Sequence, residues 1–365
     1  MRKLSAFLLI LLSACLQTGP QLPAETSLPA TTATAEKGET ISPTTPPGEN
    51  SSPFQVYFTD PYATSASTYR GGIDEDLVSA IDSAQKTIDI AMLNINLDRV
   101  GDALVRAHRR GVQVRLVMDS AALDGNVPRR LEGEGIPIIG DRRESLMHNK
   151  FLVIDGLEVW TGSLNLTATG VYEDHNNMIR IRSSRVAENY TVEFNEMFVE
   201  DLFGDNIRAA TPNARLTLDG RQVEVYFSPD DGVLQHLIQL VQSAQSSIQF
   251  LAFSFTSDAL ADAMIERAQA GVQVQGVFDS DQIDSNQGGD YDRLRQAGLD
   301  VRRDSLPGQM HHKVILVDDQ VVVTGSYNFS NSAEKRNDEN VVIVYDPPLA
   351  GLYWVEFEKI FNRAR

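Results

Sequence analysis

The sequence holds a single cysteine, Cys15, in 365 residues. That excludes an internal disulfide framework and any cysteine-rich zinc or iron–sulfur site. Base is also scarce: 32 Lys and Arg stand against 50 Asp and Glu, a formal charge of −18. A protein that grips nucleic acid over a broad basic surface gains affinity by displacing counterions with many cationic side chains, which this composition cannot supply. A small, locally positive cleft is not excluded. The apolar run at 6–12 (AFLLILL) falls far short of the ~20 residues a helix needs to cross a bilayer. What remains is ordinary globular material, 42% hydrophobic and 7% aromatic, long enough for about two domains.

The N-terminal segment reads as an address. Arg2 and Lys3 precede the apolar run, which ends in Leu12-Ser13-Ala14-Cys15. This stretch resembles the lipobox of bacterial lipoproteins, and the resemblance implies a signal peptide over 1–14 and a diacylglyceryl group on Cys15. Residues 15–53 are rich in Thr, Pro, Ser, Glu and Gly and lack an apolar period, so they are expected to form a disordered tether. Leu16, rather than an acidic residue, follows Cys15. The expected location is therefore the outer side of a bacterial membrane, outer membrane or cell surface, with the body periplasmic or extracellular.

The body is duplicated. Ser83-Ala84-Gln85, Gly111-Val112-Gln113-Val114 and Asp119-Ser120 recur as Ser243-Ala244-Gln245, Gly271-Val272-Gln273-Val274 and Asp279-Ser280, all at an offset of 160. Met147-His148 recurs as Met310-His311 at an offset of 163, because 306–309 supplies extra residues. Two long copies indicate two like domains, 54–205 and 206–365, rather than a solenoid. In the first copy the pattern predicts strands at 55–59, 87–94 and 112–118 and helices at 77–84 and 98–110. The second repeats this with a helix at 258–270 and a strand at 272–278. Such alternation predicts an α/β fold with a mostly parallel or mixed sheet covered by helices.

Chemistry concentrates in two motifs. His148-Asn149-Lys150 is followed by four apolar residues, Asp155, six residues and Gly162-Ser163-Leu164-Asn165. His311-His312-Lys313, four apolar residues, Asp318, six residues and Gly325-Ser326-Tyr327-Asn328 repeat that spacing. Alternate residues of a strand share a face, so each His and Lys point the same way: one able to attack or move protons, the other a point charge for an anion. His312 points to the opposite face, and His175, beside the first copy's Asn176, reads as structural. Arg142-Arg143 and Arg302-Arg303 sit just before the motifs, where they either rim a cleft or solvate a strand end.

This doubled pattern resembles the paired His-x-Lys-x4-Asp motifs of the phospholipase D superfamily, over essentially 54–365. That family comprises phospholipases D, cardiolipin synthases, cardiolipin hydrolases and metal-independent nucleases. The resemblance implies two duplicated α/β/α domains, each a mixed sheet flanked by helices, related by a pseudo-twofold axis and sharing one active site within a monomer. It implies phosphodiester cleavage through a phosphohistidine, with no cofactor and no metal. One histidine attacks phosphorus and the other protonates the leaving oxygen. Lys150, Lys313, Asn165 and Asn328 stabilise charge on the non-bridging oxygens. Ser163 and Ser326 are expected to bond the phosphate or orient the lysines, and Asp155 and Asp318 to serve structure around the site. Glu339, eleven residues after Asn328, matches the family's acidic position, whereas Asn176 stands at the equivalent place after Asn165. In relatives this acid supports the histidine of the opposite half, so Glu339 is expected to support His148 as the nucleophile, with Asp174 a possible substitute for the missing acid.

The motif specifies the bond better than the substrate. The anchor, the tether and the lack of a basic stripe favour phospholipid hydrolysed to phosphatidate and a free head group. The compact halves leave an endonuclease as the alternative, followed by a phosphatidyltransferase of the cardiolipin-synthase kind. A catalytically silent phosphate-binding lipoprotein is disfavoured by two intact motifs. The acidic body would also be repelled by an anionic bilayer, so the anchor must supply membrane proximity.

Overall fold

The computed structural model describes residues 52–285 and 288–365. The expected signal segment, Cys15 and nearly all of the tether lie outside the described residues. The first half runs β1 (Phe54–Phe58), α1 (Ile73–Ser83), β2 (Thr87–Met92), α2 (Asp98–Arg109), β3 (Gln113–Met118), α3 (Asn126–Gly133), β4 (Ile138–Gly140), β5 (Lys150–Ile154), β6 (Glu158–Gly162), α4 (Ala168–Tyr172), β7 (Asn177–Arg182) and α5 (Ser184–Phe198). The second half adds a strand, β8 (Arg215–Leu218), and then repeats the order: β9 (Arg221–Ser228), α6 (Val233–Ser243), β10 (Ser247–Ala252), α7 (Asp258–Gln269), β11 (Gln273–Phe278), α8 (Ser280–Ser285), α9 (Tyr291–Gln296), β12 (Asp300–Arg303), β13 (Lys313–Val317), β14 (Val321–Gly325), α10 (Asn331–Lys335), β15 (Glu339–Tyr345) and α11 (Pro347–Phe361).

Local sequence accounts for these elements. In α2, Val100, Leu104 and Ala107 are buried on one face, Asp98 sits in the first turn, and Arg106, His108 and Arg109 sit in the last, each charge matching the helix dipole. Chain reversal then requires a left-handed residue, supplied by Gly111 at φ 91° and by Gly271 at φ 95° after α7. The first sheet has the order β1-β7-β6-β5-β2-β3-β4, and the second β12-β11-β10-β13-β14-β15-β9-β8. Within each, the β2–β3–β4 and β10–β11–β12 ladders are parallel and the remainder antiparallel, so both sheets are mixed.

Strand alternation divides the apolar residues between cores. Phe151 and Val153 of β5, with Val314 and Leu316 of β13, enter a central core that also takes Tyr190 and Phe194 of α5 and Tyr353 and Phe357 of α11. Leu152 and Ile154 enter an outer core with residues of α1 and α2, and Ile315 and Val317 a matching one with residues of α6 and α7. Burial on both faces is why FLVI and VILV are unbroken apolar runs. The central core is common to both halves, and the described residues belong to one compact unit.

Candidate active site

The segments leading into β5 and β13 each pair with the opposite half. Met147 forms a parallel bridge with Asp338, and His175 with Met310. The backbone N–H of His148 donates to the Asp338 carbonyl at 3.0 Å, and that of His311 to the His175 carbonyl at 2.9 Å. This exchange brings the residue opening β15 against the first motif and the residue before β7 against the second.

His148 Nδ1 accordingly lies 2.7 Å from Glu339 Oε2, and His311 Nδ1 lies 2.8 Å from Asn176 Oδ1. A carboxylate and an amide oxygen only accept hydrogen bonds, so each imidazole donates through Nδ1 and, when neutral, carries its lone pair on Nε2. The two sites differ electrostatically. Burial lowers the His148 pKa, and the Glu339 carboxylate opposes that shift. Burial holds His311 well below the usual histidine range, and the ammonium groups of Lys313 and Lys150 add to the effect with no carboxylate against them.

Both lysines are buried. Lys150 Nζ donates to the His148 carbonyl at 2.8 Å, and Lys313 Nζ to the His311 carbonyl at 2.8 Å. Lys313 Nζ also sits 4.7 Å from the centre of the Phe253 ring, which meets His311 edge-on at 4.6 Å. Burial pushes Lys150 down to about 7; it pushes Lys313 well down too, with Lys150 acting in the same sense. Two buried ammonium groups lacking direct carboxylate partners form a site in which an anion restores what desolvation removes.

Asn165 and Asn328 follow the hairpins closed by Gly162 and Gly325. A Cβ at either glycine would stand 2.3 Å from the Asn177 carbonyl oxygen or 2.2 Å from that of Asn340, so only glycine lets these strands approach. The Oδ1 atoms of Asn165 and Asn328 are buried without a hydrogen-bond partner, in equivalent positions of the two halves.

Several expected roles change. Ser163 Oγ donates to Asn176 Oδ1 at 2.8 Å and accepts from the Asn177 N–H at 3.1 Å, and Ser326 Oγ accepts from the Asn340 N–H at 2.9 Å. Both serines are fully buried and brace the adjacent strand instead of orienting the lysines. Asp155 and Asp318 lie at the far ends of β5 and β13, roughly 16 Å along the strand from the lysines. There Asp155 accepts from the N–H groups of Gln85, Lys86 and Thr87, and Asp318 from those of Gln245, Ser246 and Ser247. Asp174 does not take the missing acid's place at His311 Nδ1, which Asn176 Oδ1 holds; its own Oδ1 accepts from the Gln309 N–H at 2.8 Å. The arginine pairs are not a free rim either. Arg142 engages Asp201, Arg143 engages Asp338, Arg302 pairs with Asp300, and Arg303 with Asp284.

Other positioning residues carried only a weak signal, their recurrence between the two halves. Asp279 Oδ2 accepts from the Met310 N–H at 2.9 Å and fixes the residue before His311; its counterpart Asp119 caps the turn after β3 through Ala121. The middle residues of the motifs point into a buried polar layer. Asn149 Oδ1 accepts from Asn340 Nδ2 at 2.8 Å, and His312 Nδ1 lies 2.9 Å from Asn177 Nδ2. Thr161 and Tyr190 bond Asn340, while Thr324 and Tyr353 bond Asn177, each at an offset of 163 from its twin. Among the described residues no cluster of His, Cys, Asp and Glu is spaced to hold a metal ion.

Residues 77–198 and 237–361 each match the family model described as cardiolipin synthase, PLD-like domain. The chain is 30% identical over 164 residues to a mitochondrial cardiolipin hydrolase of Chlamydomonas reinhardtii, covering 45% of this chain and 73% of that protein. It is 35% identical over 136 residues to a phospholipase D of Rickettsia typhi, covering 37% of this chain and 66%, just under two thirds, of that one. Among solved structures, the phosphatidylserine synthase of Haemophilus influenzae Rd KW20 shares the fold, with a TM-score of 0.64 and 15% identity over 85% of this chain and 87% of that one. Two matched segments, each carrying one copy of the motif, mean that the chain belongs to the phospholipase D superfamily.

Proposed function

We propose that the protein is a phospholipase D-type phosphodiesterase that hydrolyses phospholipids to phosphatidate and a free head group. The observation that carries the assignment of roles is the unequal support of the two histidines: Glu339 on His148, an amide on His311. The carboxylate raises the basicity of His148, whose Nε2 lone pair forms the bond to phosphorus. The negative charge of the bound phosphodiester opposes the shift that burial and the lysines impose on His311, so His311 holds a proton in the complex and gives it to the departing alkoxide as the P–O bond breaks. Neutral His311 then takes a proton from water, the resulting hydroxide displaces His148 from phosphorus, and both side chains return to their starting states. Lys150, Lys313, Asn165 and Asn328 stabilise the charge that builds on the non-bridging oxygens.

Phospholipid is favoured over nucleic acid by the acidic composition and by the similarity to a cardiolipin hydrolase and a phospholipase D. Residues 12–15 favour a lipid-anchored protein on the outer side of a bacterial membrane. Cys15→Ser should release the protein from the membrane fraction and abolish incorporation of labelled palmitate.

The test of the activity is turnover in EDTA on mixed phospholipids and on single- and double-stranded DNA, with acid-labile phosphate mapped on the quenched enzyme. Phosphatidate should form, and the phosphate should map to His148. Cleavage of DNA without phosphatidate would overturn the lipid reading in favour of a nuclease, and phosphate on His311 would reverse the two roles.

A further inference from the structure

The first half-site supports its histidine with Glu339; the second has an amide at the equivalent place and a ring beside its lysine. Phe253 directly follows β10, whose last residue, Ala252, pairs with Lys313 across the ladder. Its backbone N–H donates to the His312 carbonyl at 2.9 Å, which fixes it against the middle of the motif. Lys313 Nζ lies over the ring, 4.7 Å from its centre, and the same ring meets His311 at 4.6 Å and 64°. In the first half the corresponding ladder pair is Met92 with Lys150, so Leu93 stands where the second half has Phe253. Lys150 therefore has no ring at this place.

The groups around Lys313 show what the ring adds. Burial opposes its positive charge, and Lys150 opposes it further. Glu339, Asp279 and Asp174 favour that charge, but each is committed elsewhere: Glu339 to His148 Nδ1, Asp279 to the Met310 N–H and Asp174 to the Gln309 N–H. His311 and His148 complete the titratable surroundings, and a proton on either repels the ammonium. A carboxylate in contact with Nζ would restore the charge only by cancelling it, which removes the attraction for a phosphate. The negative face of an aromatic ring stabilises the ammonium and leaves its charge available.

We infer that Phe253 is a positioning residue for Lys313: its ring holds the ammonium charged for a phosphate, in place of a carboxylate. The inference rests on Lys313 as an anion-binding group, one part of the proposed function, and goes beyond the roles of the two histidines. The half-sites thus keep a buried lysine charged in different ways. Lys150 relies on the charge of Glu339 and Asp119, whereas Lys313 adds a ring in contact.

Inorganic phosphate is the probe, with its dissociation constant measured by calorimetry on the purified protein from mildly acidic to mildly alkaline pH. Phe253→Leu, which installs the first half's residue, should lose affinity at a pH lower by about 0.5–1 unit. On the alkaline side that is a roughly three- to tenfold weakening, the size of one cation–π contact. The two curves should converge at low pH, where Lys313 is protonated in both proteins, and Phe253→Tyr should follow the wild type. Phe253→Met repeats the test with a second ring-free side chain. In a Lys313→Met background Phe253→Leu should change nothing further, since the ring acts through that lysine. A constant factor at every pH, an equal shift in Phe253→Tyr, or a shift that survives Lys313→Met overturns the inference and leaves Phe253 a packing residue. Turnover of bis(p-nitrophenyl) phosphate in EDTA is followed in parallel. Its absence from the wild type removes the phosphodiesterase reading, while the phosphate titration still decides the role of the ring.

Discussion

Lys150 illustrates the conflict between stability and function at a single residue. Its side chain is fully buried, and its pKa falls to about 7 in the folded state from 10.5 in the unfolded chain. Between those values the unfolded chain binds a proton that the folded one does not, so this group makes stability rise with pH across that window and makes a constant unfavourable contribution below it. Lys150→Met should therefore abolish turnover yet raise the melting temperature at pH 7, and calorimetry should show that advantage shrinking as pH approaches 10. A melting temperature that falls at pH 7 would mean the ammonium contributes more than its desolvation costs. A second residue-scale outcome concerns Asn176. Asn176→Asp places a carboxylate where an amide oxygen now lies 2.8 Å from His311 Nδ1, which should raise the His311 pKa by roughly 1–3 units. A general acid with a higher pKa keeps its proton to higher pH, so the alkaline limb of the kcat/KM profile should move up. An unmoved limb would remove His311 from the role of acid.

At the scale of the element, each motif strand carries chemistry at one end and a structural clamp at the other. Lys150 opens β5 beside the site, while Asp155 follows its far end and gathers three backbone N–H groups from the turn between α1 and β2. Those bonds explain why an aspartate recurs at this spacing and also why its carboxyl pKa is lowered. Asp155→Ala should cost about 2 kcal/mol in urea unfolding, the usual magnitude for a partly exposed carboxylate serving several N–H groups. The kcat of the folded fraction should stay at the wild-type value. A large loss of kcat without loss of stability would return Asp155 to the site.

At the scale of the whole molecule, the halves are bound by more than proximity. Val153, Tyr190, Leu316 and Tyr353 share one core, and each histidine takes its Nδ1 partner from the other half. A fragment of residues 54–205 alone would expose the faces of β5 and α5 and leave His148 without Glu339. Either half expressed alone should be inactive and poorly soluble, and co-expression should restore soluble, active protein measured on bis(p-nitrophenyl) phosphate. Activity from a single half would require it to pair with a second copy of itself, which size-exclusion chromatography would reveal.

The sequence by itself determined the duplication and the mixed α/β architecture and singled out the candidate site residues, because these reside in local periodicity and in spacing that recurs residue for residue. Helices and strands such as α2, β3, α7 and β11 begin and end within a residue or two of where pattern and glycine placed them. The family also follows from the doubled motif. Only the tertiary structure decided what each polar side chain faces. Ser163, Asp155 and the arginine pairs have the same local sequence whether they touch phosphate or backbone, and their partners lie on other strands or in the other half. The polar layer of Asn149, Asn177, His312 and Asn340 was hidden for the same reason: its hydrogen bonds connect positions more than 130 residues apart.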